Sequence, residues 1–504
     1  MASLDSDLGG FGESAPGSLN VAVDAAAESR APRDPEPALQ AVPYFTAGER
    51  AARGRAARAD VPRSAHADWE AAPNRRDPVD LLEEQARTRL PELIPIRYGR
   101  MLVSPFTFFR GSAYVMAADL ADGPRTGLYV QLCGDAHLSN FGIFAAPDRR
   151  LVFSINDFDE TLPGPFEWDV KRLAASFAVA GRDRGFDQPT RRSVVMGTVR
   201  EYRQAMRRFA EMRTIDVWYL RLDVARMLKR FAEELSLKQL GRLQAEVADV
   251  HTKDNLRALA KLCGSVNGEL RIVGNPPLIT PIEDVLPGAE QVRLEDTVRR
   301  MLYTYRGSLP HDRQKLLENY RYVHAARKVV GVGSVGTRAW VLLMLGRDED
   351  DPLFLQFKEA QASVLEPFLG KSEFEEHGQR VVEGQRMMQM ASDIMLGWER
   401  IMTIDEQQRD FYIRQLWDAK GSAEIELMNP SDLAAYGVVC GWTLAKAHAR
   451  SGDRMAIAAY LGQGDSFDRA IASFAEAYAD QNDRDYDALR SAAESGRVTV
   501  QTGV

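Results

Sequence analysis

Between residues 128 and 160 two short apolar runs alternate with two acidic turns, and this stretch restricts the possible folds more than any other. The runs, 128–132 and 151–155, have the length and composition of buried strands and are too short for helices. Each ends in a turn bearing carboxylates: Gly134-Asp135 after the first, Asp157-Phe158-Asp159 after the second. Asn140 lies five residues beyond Asp135. The pattern predicts a hairpin of the two runs that presents Asp135, Asn140 and Asp157 at one end. Two carboxylates and an amide oxygen are hard ligands, suited to Mg²⁺ or Mn²⁺ together with a phosphate. A single Asp at such a place more often caps a turn; three residues at this spacing point to a site.

Composition narrows the setting. The chain has 504 residues, room for two or three domains, and a globular hydrophobic content of 45%. A net charge of −8 gives no electrostatic case for nucleic acid as the main partner. The three cysteines, Cys133, Cys263 and Cys440, are scattered, which suits a reducing compartment and excludes a Cys-rich zinc site. No apolar run approaches membrane-spanning length, and the opening MASLDSDLGG lacks the marks of a signal peptide. A cytoplasmic protein with no membrane partner is expected.

Residues 1–43, rich in Ala, Gly, Ser, Pro and Asp, hold too little apolar surface to offset chain entropy and are expected to be disordered. Arginines then accumulate through Arg50, Arg53, Arg63 and Arg75, which reads as a solvated helical arm. A helix is expected from Asp77-Pro78 to about residue 90. Phe106, Phe109, Ala113, Met116 and Ala117, near helical spacing, predict one buried helix within 97–120. Arg100 and Arg110, in that apolar company, either pair with an acid such as Asp119 or reach a phosphate. Beyond Pro163-Gly164-Pro165 the pattern turns helical, over 168–182 with Asp169 as its cap, then 188–210, 223–235, 237–263 and 294–303.

At Arg327 the character changes. KVVGVGSVGTRAWVLLMLG reads as strand, Gly-rich turn, strand, with Gly331, Gly333 and Gly336 in GxGxxG spacing. A dinucleotide-binding unit would continue as a helix. Here extended residues come next (Trp340, Val341), then an acidic turn and a third strand, 353–358, ending on Lys358. Glycines let backbone N–H groups approach phosphates closely, and Lys358 would pair with them. A helix over 372–394 offers Glu375, Glu376 or Glu383 to hold Lys358, with Gln385 and Arg386 as further site residues. Short strands at 395–398 and 411–416, a hinge at 418–421, a helix from Asn429-Pro430 to Arg450 and one or two closing helices complete the chain. His448 reads as packing or a helix-end charge.

The order Asp135, Asn140, Asp157-Phe158 is that of the catalytic loop and metal-binding motif of kinase-type phosphotransferases. The loop resembles the HGDxHxxN loop of aminoglycoside and choline phosphotransferases, with His137 in place and Cys133 where that loop has its leading His. Asp169 falls where sugar-type members brace the loop. Together RYGRM, SPFTFFRG, GDAHLSNFG, NDFDE, GVGSVGTR with LQFKEA, and LAKAHARSGD resemble an uncharacterised bacterial family, domain of unknown function 2252, over about 42–490. The resemblance implies an α+β, protein-kinase-like, two-lobed fold. Because the Gly-rich hairpin and Lys358 follow Asp135 instead of preceding it, a circular permutation is expected. The expected domains are a tail (1–43), an arm and helical large lobe with the catalytic hairpin (44–325), a β-rich nucleotide-binding small lobe (326–420) and helices completing the large lobe (421–504).

The expected function is an ATP- and Mg²⁺-dependent phosphotransferase acting on a small-molecule hydroxyl. Asp135 would take the hydroxyl proton, and His137 would hold the loop or contact substrate. Asn140 and Asp157 would bind Mg²⁺ (or Mn²⁺), Asp159 would assist with a second metal, and Arg110 would contact phosphate. Gly331, Gly333, Gly336 and Lys358 would cradle the nucleotide. Two other readings stand beside it: a nucleotide-binding regulator without transferase activity, and a metal-dependent phosphoesterase using Asp135, His137, Asp157 and Asp159. Seven histidines without clustered ligand pairs disfavour the last.

Overall fold

Helix outweighs strand, about 53% against 17%, giving a mixed α+β protein. The computed structural model describes residues 44–231, 241, 247–248, 250, 255–285, 289–329, 331–416 and 420–503. The expectations for 1–43, for most of 232–254 and for residues 418–419 of the hinge lie outside the described residues. The chain divides by contacts after Phe45. Of the first unit only Tyr44 and Phe45 are described, both exposed; the second unit is Thr46–Val504.

In that second unit, strand β1 (Tyr129–Leu132) runs into the Asp135 turn, β2 (Phe141–Ala145) and β3 (Leu151–Ile155) come after Asn140, and β4 (Leu162–Pro165) comes after Asp159. The expected hairpin of the two apolar runs is corrected here. β1 pairs antiparallel with β4, Leu132 opposite Leu162, while β3 pairs with β2, Phe141 opposite Ile155. β2 was hidden because FGIFA follows Asn140 without any turn residue. Its register closes the site end of the hairpin, where the Asn156 N–H donates to the Asn140 carbonyl at 2.8 Å. Asp135 and Asn140 in the β1–β2 turn and Asp157 in the β3–β4 turn thus still gather at one end.

After the hairpin of β5 (Cys263–Val266) and β6 (Glu269–Ile272), one six-stranded antiparallel sheet is built. Its members are β7 (Ile279–Pro281), β8 (Arg321–Lys328), β9 (Ala339–Leu345), β10 (Pro352–Ala360), β11 (Gly397–Met402) and β12 (Gln408–Gln415). They lie in the order β11-β12-β10-β9-β8-β7. Side chains alternate across it. Leu342, Leu355 and Phe357 pack with Leu294, Val298 and Tyr305 of the helix Ala289–Tyr305, while Leu343 and Phe354 face Ala258 and Leu262 on the other side. β10 is therefore buried along its whole length, Lys358 included. The helix His377–Met388, shorter at both ends than expected, connects β10 to β11.

The largest core joins the helices Phe166–Asp183, Gln188–Glu211, Pro430–Ser451 and Ser466–Glu494. No helix among the described residues is long and apolar enough to cross a membrane. The single helix expected over 97–120 is three: Ile94–Met101, Pro105–Gly111 and Ala113–Ala121. Pro105 has no N–H to donate backwards, and Ser104 with Thr107 forms a capping box that restarts the helix.

The arginine-rich arm is exposed along most of its helix, as expected, but its later arginines are tied to the body of the protein. Arg63 donates to the Leu461 carbonyl at 2.6 Å, and Arg75 forks to Asp119 (2.6 and 2.8 Å) and Asp485 (2.8 and 2.6 Å). Asp119 is thereby taken by Arg75 and Tyr478 rather than by Arg100 or Arg110. The helix Ala47–Asp60 lies on Arg454–Leu461 so closely that a Cβ on Gly54 would sit 1.9 Å from the Ala456 carbonyl oxygen. Gly54→Ala is expected to destabilise the protein by about 1–3 kcal/mol through overpacking. Calorimetry should show a lowered Tm, and limited proteolysis should show faster cleavage within 47–60; an unchanged profile would contradict the packing described.

Candidate functional site

Gly134 has φ +82° and lies so near the Glu160 backbone that any Cβ would collide with it, so this turn is reserved for glycine. Behind the turn stands Asp169. The sequence offers it as a helix cap or as a brace of the loop; Pro165 is at the cap position of the helix Phe166–Asp183, and Asp169 points inward to the loop. Its carboxylate accepts the N–H groups of Cys133 (2.8 Å) and Gly134 (3.1 Å), and His448 Nε2 lies 3.2 Å away. His448 is fully buried and reaches the Tyr202 hydroxyl at 2.9 Å with its other nitrogen, so its role is to hold Asp169. These bonds fix the backbone that carries Asp135.

Asp135 is held by Arg172, which donates from Nε at 2.9 Å and also bonds the Phe109 carbonyl at 2.7 Å. The guanidinium lies 4.0 Å from the Phe109 ring centroid. Burial raises the Asp135 carboxyl above the ordinary Asp range despite the opposing charges of Arg172 and Arg110. His137 is buried, with Nε2 3.7 Å from Asp135. Its Nδ1 has no hydrogen-bond partner among the described residues. Burial, then Arg110 and Arg172, push its pKa well down, so the ring is neutral at neutral pH. Asn140 donates from Nδ2 to the Asp135 carbonyl at 2.7 Å, which leaves its amide oxygen for another ligand.

Asp157 accepts the Asp159 N–H at 3.2 Å. Burial and the neighbouring charge of Asp159 raise its pKa, with Lys358 and Arg414 opposing. Asp159 behaves oppositely. Burial works to raise it, but the Lys358 ammonium, bonded directly to it, and the Tyr412 hydroxyl at 2.8 Å bring it below the ordinary value. The Ser334 hydroxyl adds a bond at 3.3 Å. Both oxygens of Asp159 are thus engaged, and Asp159 is the acid that meets Lys358. Glu383 pairs with Arg386 instead, and Glu375 and Glu376 precede the helix His377–Met388. From that helix comes Arg380, almost wholly buried, which donates to the carbonyls of Asp159 (2.8 Å), Thr161 (2.7 Å) and Gln361 (2.7 Å). It ties the acidic turn to the end of β10. Glu160 accepts the Val364 N–H at 2.7 Å, and burial pushes its carboxyl up to about 7.

A small chamber of about 80 Å³ gathers Asp135, His137, Asn140, Asp157, Asp159, Arg110, Gly331 and Gly333. It adjoins a larger cavity of about 470 Å³ that shares Asp157 and Gly331 with it and adds Lys358 and Gln385. The Gly-rich turn and the early acidic turns therefore face one another. Gly336 stands apart: at φ +92° it turns the chain against Arg89, and its carbonyl accepts the Leu90 N–H at 2.8 Å. Arg110 is largely buried and its Nε has no hydrogen-bond partner among the described residues. The missed residues, Arg172, Arg380 and His448, gave no local signal, because each acts on carbonyls or acids far along the chain.

Among the described residues no group of three or more His, Cys, Asp or Glu side chains is gathered to hold a metal ion alone. Asp157 and Asn140 line the same chamber and are hard oxygen donors of the kind Mg²⁺ takes.

The chain matches no curated protein and no solved structure. A family model described as "Uncharacterized protein conserved in bacteria (DUF2252)" matches residues 89–492, which include every residue of this site. The chain therefore belongs to that family.

Proposed function

We propose that the protein is an ATP- and Mg²⁺-dependent phosphotransferase of kinase-like, circularly permuted architecture, acting on the hydroxyl of a small molecule. The observation that carries this reading is the direct pairing of Lys358, on β10, with Asp159, 199 residues earlier, at the edge of the chamber that holds Asp135, Asn140 and Asp157. The layout of the large sheet supports it: a Gly-rich turn joins β8 and β9, a lysine stands on β10, and a helix comes next. Mg²⁺, when bound, supplies the charge that neutralises the phosphates. Asp157 and the Asn140 amide oxygen would hold it, and Lys358 would meet a phosphate on the other side. Asp135, made more basic by burial and oriented by Arg172, takes the hydroxyl proton. Neutral His137 lines the chamber beside it, its Nε2 3.7 Å from that carboxylate.

In this reading Mg-ATP raises the Tm of the full-length protein by ligand linkage. Asp157→Ala should keep the far-UV circular dichroism of the parent but weaken Mg-ATP binding about 100-fold, as befits the loss of a charged metal ligand. Equal stabilisation of parent and variant by Mg-ATP removes the assignment.

A further inference from the structure

The space around the Gly-rich turn is unevenly charged. On one side the cavity of about 470 Å³ is lined by Arg149, Lys328, Lys358, Arg414 and Lys420 against only two carboxylates, Asp157 and Asp393. On the other, a second cavity of about 450 Å³ carries Glu84, Asp159, Glu160, Glu359 and Glu366 against only Arg89 and Lys371. The small Asp135 chamber lies between them, sharing Asp157 and Gly331 with the first and Asp159, Glu160 and Gly333 with the second. Two of these cations are held in the wall, Lys358 by Asp159 and Arg414 by polar neighbours. Arg414 donates to the Gln356 side chain at 3.0 Å and to the Asn156 carbonyl at 3.3 Å. Burial, then the charges of Lys261 and Arg414, push the Lys328 ammonium down to about 8.

A nucleoside triphosphate has an uncharged base at one end and about four negative charges at the other, so a field of this kind sorts its two ends. We propose that the triphosphate tail enters the cationic cavity and the nucleoside lies on the acidic side, so that the α-phosphorus faces Asp135 and the group transferred is a nucleotidyl group. The proposal rests on the Mg-ATP reading of the same cleft and fixes which phosphorus reacts. The acceptor hydroxyl oxygen bonds to the α-phosphorus, and the bond from that phosphorus to the oxygen bridging to the β-phosphate breaks. Asp135 takes the hydroxyl proton, and pyrophosphate leaves with the electron pair, held by Lys358, Arg414 and Lys328. Nothing is oxidised or reduced.

Two measurements on the full-length protein test it. In the first, Mg-ATP labelled at the α- or the γ-phosphate is incubated with the protein, with water and the protein's own hydroxyls as acceptors. AMP or α-labelled protein, together with pyrophosphate, is the expected result. ADP with inorganic phosphate overturns the inference and leaves the phosphotransferase reading standing; absence of any Mg-ATP binding overturns both. The second needs no turnover: calorimetric titration with Mg-tripolyphosphate and with adenosine. Tripolyphosphate should compete with ATP, and Lys420→Ala, at the cavity rim, should weaken both about tenfold, the scale of one charge-assisted contact. Tripolyphosphate binding indifferent to Lys420→Ala, with adenosine displacing ATP from the cationic cavity, overturns the inference.

Discussion

Lys358→Met is expected to lower stability by about 3–5 kcal/mol, the cost of breaking a buried ion pair from one side, and to abolish measurable Mg-ATP binding. Lys358 is 2% exposed and pairs directly with Asp159, and the Asp157 charge also acts on its ammonium. Methionine fills the same volume but leaves the partly buried carboxylates of Asp157 and Asp159 without their ammonium, beside Tyr412. Adding Asp159→Asn to Lys358→Met should recover much of the stability, because the amide keeps the Tyr412 hydrogen bond and removes the uncompensated charge. It should not recover nucleotide binding, and this difference separates the structural role of the pair from its role in binding. The pH dependence has a definite sign. In the parent, Asp159 is held below its ordinary value, so its contribution is fully present above about pH 4 and is lost as pH falls through the lower folded value. In Lys358→Met the unpaired carboxyl is raised instead, so the gap in stability between parent and variant should narrow on acidification. Chemical denaturation at pH 7 and at pH 4 reads this directly, and a gap that widens toward acid contradicts it.

Asp169→Ala should be nearly as costly. It removes the acceptor for the buried N–H groups of Cys133 and Gly134 and the partner of His448. Each unsatisfied buried group costs about 1–3 kcal/mol, so a loss on the order of 3 kcal/mol or more is expected. The functional loss should be larger than the stability loss implies, because the backbone freed is the one that aims Asp135. A turnover about 100-fold lower is expected from such a misplacement. Hydrogen exchange should show new lability confined to residues 133–140, with Asp169→Asn intermediate because one oxygen remains to accept. Uniform loss of protection across the chain, with no excess at 133–140, would contradict the bracing role.

Locality divides the features legible in the sequence from those it hid. The spacing of Asp135, Asn140 and Asp157 is local, and the turns that carry them are local, so the gathering of these residues could be read directly. Strand partners are not local. β4 contains Leu162-Pro163-Gly164-Pro165, a segment that reads as a turn, yet it is the partner of β1. The same holds for charged side chains on helices. Lys171 and Arg172 look like a solvated face, and only folding against Pro105–Gly111 turns Arg172 onto Asp135 and the Phe109 carbonyl. Arg75, beyond the exposed arm helix, shows the same, since it finds Asp485 410 residues away. Helix ends were legible where a cap sits beside a proline, as at Asp77-Pro78 and Asn429-Pro430, and the same Ser-Pro signal at Ser104-Pro105 was outweighed by the apolar periodicity around it.

The proposed nucleotide chemistry requires one cleft built by two distant parts of the chain. A crystal structure with Mn²⁺ and a non-hydrolysable ATP analogue tests this most directly, because the metal is located by its anomalous signal. The expected result is a metal peak bonded to Asp157 and the Asn140 amide oxygen, with the analogue's phosphates lying between it and Lys358 beneath Gly331. A fully occupied analogue bound elsewhere, with the space between Asp157 and Lys358 empty of both metal and phosphate, would contradict the shared cleft.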